Sequence, residues 1–209
     1  WKFIDPSIPH RTLMLVSKFD HCLNDLLYRK QTGELNIAVT TVASNHPDLE
    51  PLARFHQAPF EVLPAGQSKL ATKAAQEDRI RDLIDAHDVE LVVLARYMQV
   101  LSDELCQELA GRCINIHHSF LPSFKGARPY HQAFERGVKA IGATAHYVTA
   151  DLDEGPIIDQ EVARVDHTFG PDQLLATGRN MENYALSRAV KAHSEHRVFL
   201  NGHKTVVLK

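Results

Sequence analysis

Cysteine is scarce in this chain of 209 residues, and its three copies, Cys22, Cys106 and Cys113, make neither a Cys-x-x-Cys pair nor an even set. That spacing argues against a disulfide framework and a thiolate metal site, and it fits a reducing compartment, so the cytoplasm is the expected setting. Cys106 and Cys113 stand among apolar residues and read as small buried hydrophobes. Long apolar runs are missing too. No stretch approaches the roughly 20 residues that cross a bilayer, so no membrane partner is expected. Positive charge is not in excess either. With 23 Lys and Arg against 26 Asp and Glu the formal net charge is −3, which argues against a protein that coats nucleic acid. No Gly-x-Gly-x-x-Gly or Walker-type loop follows any apolar run, which excludes a dinucleotide or ATP enzyme. No low-complexity linker and no repeat divides the chain, so one domain is expected.

What is present is a rhythm. Strand-like runs fall at 12–17, 37–43, 60–63, 91–95 and 113–117, and helix-like segments separate them. These carry Leu23, Leu26 and Leu27, then Leu49, Leu52 and Phe55, then Leu70, Ala74, Ile80, Leu83 and Ile84 over 69–87. Leu91-Val-Val-Leu-Ala95 has no polar face, as suits the centre of a parallel sheet covered on both sides. Ser102-Asp-Glu-Leu is placed to cap the next helix. The pattern predicts a Rossmann-like, doubly wound, mostly parallel α/β sheet, with ligands at the carboxyl ends of the strands. After a loop over 119–130 and a short helix near 132–136, segments 141–148 and 156–162 read as a strand pair. A long helix over 172–196 presents Leu174, Leu175, Met181, Tyr184, Leu186 and Val190 on or near one face, and 197–208 reads as a hairpin turned by Asn201-Gly202.

The stretch richest in chemistry is Asn115-Ile-His-His-Ser-Phe-Leu-Pro-Ser-Phe-Lys-Gly126. Asn115 and His117 are one residue apart at a strand end, so both project to one face. An amide and an imidazole aimed together into a cleft can stabilise an oxyanion and carry a proton. Read by residue type alone, the pair is equally a satisfied polar group at a strand terminus. Asp153, in Asp151-Leu-Asp-Glu-Gly-Pro-Ile-Ile158, sits before a Gly-Pro turn that can fix a carboxylate at a sheet edge. On residue type alone it also reads as part of a solvated acidic loop.

Taken together, Asn-x-His followed by Ser-x-Leu-Pro, then Asp-x-Gly-Pro-Ile-Ile with Asp153 placed 36 residues after His117, resemble the formyltransferase family that uses 10-formyltetrahydrofolate. The resemblance implies the formyltransferase fold and carries the family's catalytic Asn, His and Asp onto Asn115, His117 and Asp153. Leu94-Ala-Arg-Tyr-Met-Gln-Val-Leu-Ser102 resembles the family's folate loop, which places Tyr97, Met98, Gln99, Val100 and Leu101 against the pterin. His146 is expected to face the cleft as a partner of His117. Gly126 and Arg128, with Lys125, are expected near the glutamate tail of folate, where a solvated basic loop is the alternative. His118 is expected to face away from His117 in a structural role. No metal is expected, because His117 and His118 are adjacent and His193 and His196 lack a third ligand.

Within the family, the segments at 116–122, 126–133, 142–148, 165–168 and 178–180 resemble the deformylase branch, which passes the formyl group to water. The glycinamide ribonucleotide transformylase branch has a glycine- and serine-rich phosphate turn after its first strand. Here that turn is Ser17-Lys-Phe-Asp-His-Cys22, where Phe19 and Asp20 would obstruct or repel a phosphate. The resemblance therefore implies hydrolysis of 10-formyltetrahydrofolate to formate and tetrahydrofolate, feeding one-carbon and purine metabolism. Transfer to a ribonucleotide or sugar-nucleotide acceptor is the alternative. The folate is substrate, so no cofactor is expected, and a homo-oligomer is. Residues 1–10 are expected to end a linker from an N-terminal ACT domain that takes amino-acid effectors, with the catalytic domain over 11–209.

Overall fold

The computed structural model describes residues 5, 7–64, 66–119 and 129–209. Seven strands form one sheet in the order β3-β2-β1-β4-β5-β6-β7. The parallel part comprises β1 (His10–Val16), β2 (Ile37–Ser44), β3 (Phe60–Val62), β4 (Leu91–Leu94) and β5 (Cys113–His117). β6 (Ala140–Tyr147) runs antiparallel to β5, and β7 (Ile157–Arg164) antiparallel to β6. The helices are α1 (His21–Gln31), α2 (Glu50–Phe55), α3 (Lys69–Ala86), α4 (Asp103–Glu108), α5 (Pro129–Glu135) and α6 (Pro171–Ser194). A separate hairpin, β8 (Val198–Asn201) with β9 (Lys204–Val207), completes the order. No described helix is long and apolar enough to cross a membrane.

Alternation along the strands builds two cores. Met14, Val16, Val93, Ile114 and Ile116 pack with Leu23, Leu26 and Leu27 of α1 and Leu186 and Val190 of α6. Leu13, Leu15, Val92 and Leu94 pack on the opposite face with Ile80, Leu83 and Ile84 of α3 and Leu105 of α4. From β1 the chain winds outward to β3 and then returns to place β4 beside β1. The order therefore reverses between β1 and β4, and the crevice at the carboxyl ends of these strands is where such sheets hold ligands.

Two helix faces differ from the apolar pattern in the sequence. On α3, Leu70 is 79% exposed while Glu77 is buried. The Glu77 carboxylate accepts the backbone N–H of Ser102 at 2.7 Å and its hydroxyl at 2.5 Å. The Ser102 oxygen in turn accepts the N–H of Leu105 at 3.2 Å. The acid that completes this cap comes from a neighbouring helix rather than from the third position of α4. On α6, Tyr184 is half exposed, and Gly178, Glu182, Ala185 and Ala189 turn inward beside Leu186 and Val190. The inward face includes an acid, which an apolar count cannot reveal. The hairpin turn is Gly202-His203 rather than Asn201-Gly202, since Asn201 pairs with Lys204. Gly202 takes φ +60°, the positive value that the first central position of a type II′ turn requires.

Candidate active site

β5 ends where the reversed crevice lies, and its alternation sends Asn115 and His117 to the same side. Antiparallel pairing sets Asn115 opposite His146 and His117 opposite Thr144. His146 Nδ1 lies 2.9 Å from the Tyr147 carbonyl, which can only accept, so the proton of a neutral His146 is on Nδ1. Its Nε2 is then a lone pair, and the Asn115 amide nitrogen donates to it over 3.3 Å. That bond fixes which way the Asn115 amide points.

Asp153 arrives from the loop between β6 and β7. It takes φ +58°, a left-handed conformation sparsely used by residues other than glycine. Gly155 lets the loop come this close: a Cβ there would sit 1.7 Å from the Tyr147 carbonyl oxygen. The approach puts Asp153 Oδ2 3.2 Å from His117 Nδ1 and Oδ1 3.7 Å from His146 Nε2. Burial pushes the Asp153 carboxyl upward. The hydrogen bond and charge of His117 oppose it, and the group is held well below the usual carboxylate range. Asp153 is thus a fixed anion that orients His117. His117 Nε2 is buried and has no hydrogen-bond partner among the described residues, so its lone pair is uncommitted.

The loop after β4 forms the facing wall. Tyr97 and Leu101 are buried and anchor it, whereas Met98, Gln99 and Val100 are exposed. The Met98 N–H donates to Ser17 Oγ at 2.9 Å, and that hydroxyl donates to Asn45 Oδ1 at 2.7 Å, tying the loop to the ends of β1 and β2. A cavity of about 250 Å³ brings this whole loop, residues 97–101, together with Asn115, His117, His146 and Asp153. Met98, Val100 and Leu152, each more than half exposed, form an apolar lip around it. Gly126, Arg128 and Lys125 lie outside the described residues.

Two expectations need correction. His118 does not face away, because the strand ends at His117 and alternation stops there. Its ring lines the same cavity, 5.1 Å from that of His117. Burial, with the nearby charge of Arg96, lowers its pKa to about 4, so it is neutral near pH 7. His146 meets Asn115 and Asp153 rather than His117, to which it is linked through the carboxylate.

Sequence reading also missed a buried cluster around Glu182, formed with His21, Arg96 and Tyr130. The available signal was a single acid on the inward stripe of α6. His21, Cys22 and Glu182 bring three atoms of metal-ligand type within 4.8 Å of one another. Arg96 already supplies a cation there, and burial, together with Glu182, pushes the Cys22 thiol far up. The group therefore fits an ion pair better than a metal ion.

A mostly parallel sheet that brings Asn115, His117 and Asp153 together at the carboxyl end of β5 defines a class, and the sequence comparison agrees with it. The family pattern described as Formyl transferase matches residues 10–190, and the chain belongs to that family. The particular relatives then narrow the class. A formyltetrahydrofolate deformylase of Corynebacterium sp. (strain P-1) is 56% identical over 209 residues, covering 100% of this chain and 72% of that protein. The crystal structure of a formyltetrahydrofolate deformylase from Burkholderia mallei superposes with TM-score 0.93 at 57% identity, covering 99% of this chain and 72% of the other. A glycinamide ribonucleotide transformylase from Symbiobacterium toebii is more distant. It has TM-score 0.86 and 30% identity over 96% of this chain and 95% of its own.

Proposed function

We propose that this protein hydrolyses 10-formyltetrahydrofolate to formate and tetrahydrofolate. The observation that carries the reading is His117, oriented through Nδ1 by a persistent carboxylate, uncommitted at Nε2, and standing beside the fixed amide of Asn115. The likeness to deformylases along the full length of this chain, 72% of the length of each relative, supports it. The apolar lip of Met98, Val100 and Leu152 suits a flat heteroaromatic ring.

In this mechanism the His117–Asp153 pair accepts a proton from water as the water oxygen bonds to the formyl carbon. The imidazolium that forms is stabilised by Asp153. The Asn115 amide has a second N–H beyond the one given to His146, and this donates to the oxyanion of the tetrahedral intermediate. Proton return from His117 to N10 lets the carbon–nitrogen bond break, releasing formate and tetrahydrofolate. The test is incubation with 10-formyltetrahydrofolate in the absence of any amine. Equal amounts of formate and tetrahydrofolate are expected, and substrate that persists unless a ribonucleotide amine is added would favour the transferase instead.

A further inference from the structure

Beside the reacting centre, where α6 packs against α1 and α5, lies a buried cluster of polar side chains. Glu182 of α6 is 1% exposed. One of its oxygens lies 2.8 Å from His21 Nε2, and the other accepts the Tyr130 hydroxyl at 2.9 Å. Arg96 Nε is 3.4 Å from the carboxylate, and the Arg96 guanidinium stands 5.0 Å over the ring of Phe19. Arg96 adopts φ +65° to reach this position from the end of β4. Four residues before Glu182, on the same face of α6, Gly178 makes room for Tyr130: a Cβ there would fall 2.1 Å from the Tyr130 ring. Glu182 and Tyr130 thus fill this space, and Phe19, which is 40% exposed, covers Arg96 at its outer end. The cluster adjoins the reacting centre, since Arg96 lines the cavity and the His118 ring lies 5.1 Å from that of His117 and 6.5 Å from that of Tyr130.

We propose that Glu182, Arg96, Tyr130 and Phe19 form a plug that makes water the only acceptor of the formyl group. An amine acceptor must bring its substituents alongside the formyl carbon, and beyond Arg96 and His118 is where the cavity would have to widen to hold them. The plug denies that volume. It is also electrically closed, with the Glu182 carboxylate set against the Arg96 guanidinium, so it offers no net charge to an anionic acceptor. Water fits the cavity as it stands and needs no such room. The inference rests on the hydrolytic reading above and assigns its specificity to residues that take no part in the bond changes.

The test measures partition rather than rate. The full chain is incubated with 10-formyltetrahydrofolate and glycinamide, and N-formylglycinamide is counted against formate. Wild type is expected to give formate alone. Phe19→Ala and Arg96→Ala are each expected to raise the amide-to-formate ratio at least tenfold. The ratio is insensitive to how much of a variant is folded. An unchanged ratio in both variants overturns the proposal, as does ready formylation of glycinamide by wild type. A second measurement uses Glu182→Gln, which keeps the shape of the plug and removes its negative charge. This variant is expected to give formate alone, as wild type does, and an amide-to-formate ratio raised at least tenfold overturns the assignment to filled volume. Wild type that releases no formate under any condition refutes the hydrolytic reading and the plug together. Formate release with unchanged partition in Phe19→Ala and Arg96→Ala refutes the plug alone.

Discussion

At the scale of single residues, the site is a chain of fixed orientations. The Tyr147 carbonyl sets the tautomer of His146, His146 sets the amide of Asn115, and Asp153 sets the tautomer of His117. Asp153→Asn removes the anion that favours a proton on His117 Nδ1. By analogy with other acid–histidine pairs, turnover is expected to fall by about 10³–10⁴, as measured by steady-state formate release. Asn115→Ala deletes the oxyanion donor, and a loss of about 10²–10³ in kcat with little change in KM is expected. Because Asp153 is held well below the usual carboxylate range, its own titration is not expected to shape the rate above pH 4. A rate profile that falls with a midpoint between pH 4 and 5 and loses that fall in Asp153→Asn would contradict this assignment.

At the scale of elements, loops are positioned by side chains that reach across the fold. The loop that follows β4 is closed by Ser102, and Glu77 of α3 holds both polar groups of that residue. Glu77→Ala leaves a buried N–H unmet and is expected to cost about 1–3 kcal/mol in chemical unfolding, together with a raised KM as the 97–101 wall loosens. The same long reach explains what sequence could and could not reveal. Strands β1, β2, β4 and β5 were legible because an apolar run of four to eight residues between turn signals has few other readings. The buried faces of α3 and α6 were not, because Glu77 and Glu182 point inward towards partners 25 and 86 positions away along the chain. Asn115, His117 and Asp153 were singled out only through the family resemblance that their joint spacing and the segment at 94–102 carry, and the structure brings the three side chains together. Arg96 escaped notice because a lone basic residue after a strand has no local signature, and His118 was misplaced by extending strand alternation one residue too far.

At the scale of the whole molecule, acid sensitivity should follow from two histidines that the fold keeps neutral. Burial lowers both His118 and His193 to about 4, and for His193 the charges of His10 and His196 add to the effect. Tyr147, whose hydroxyl is pushed up to about 12 by burial, keeps its proton and lies 2.7 Å from His193 Nδ1. An unfolded chain protonates these histidines near pH 6.5, while the folded chain does so only near pH 4. The unfolded state therefore holds more protons between these limits, and stability is expected to decline as pH falls from about 6.5 to about 4. His193→Asn should flatten that decline by about one proton's worth of slope in denaturant titrations at a series of pH values. An unaltered slope would show that the fold does not hold His193 neutral.

The central claim is that this fold presents His117, Asn115 and Asp153 to transfer a formyl group from folate to water. Its most direct test is the stoichiometry of the purified chain acting on 10-formyltetrahydrofolate without an acceptor, beside His117→Asn. The account predicts one formate and one tetrahydrofolate for each substrate consumed, with release all but abolished in the variant. No formate from the wild-type chain, or equal release by both proteins, would contradict it.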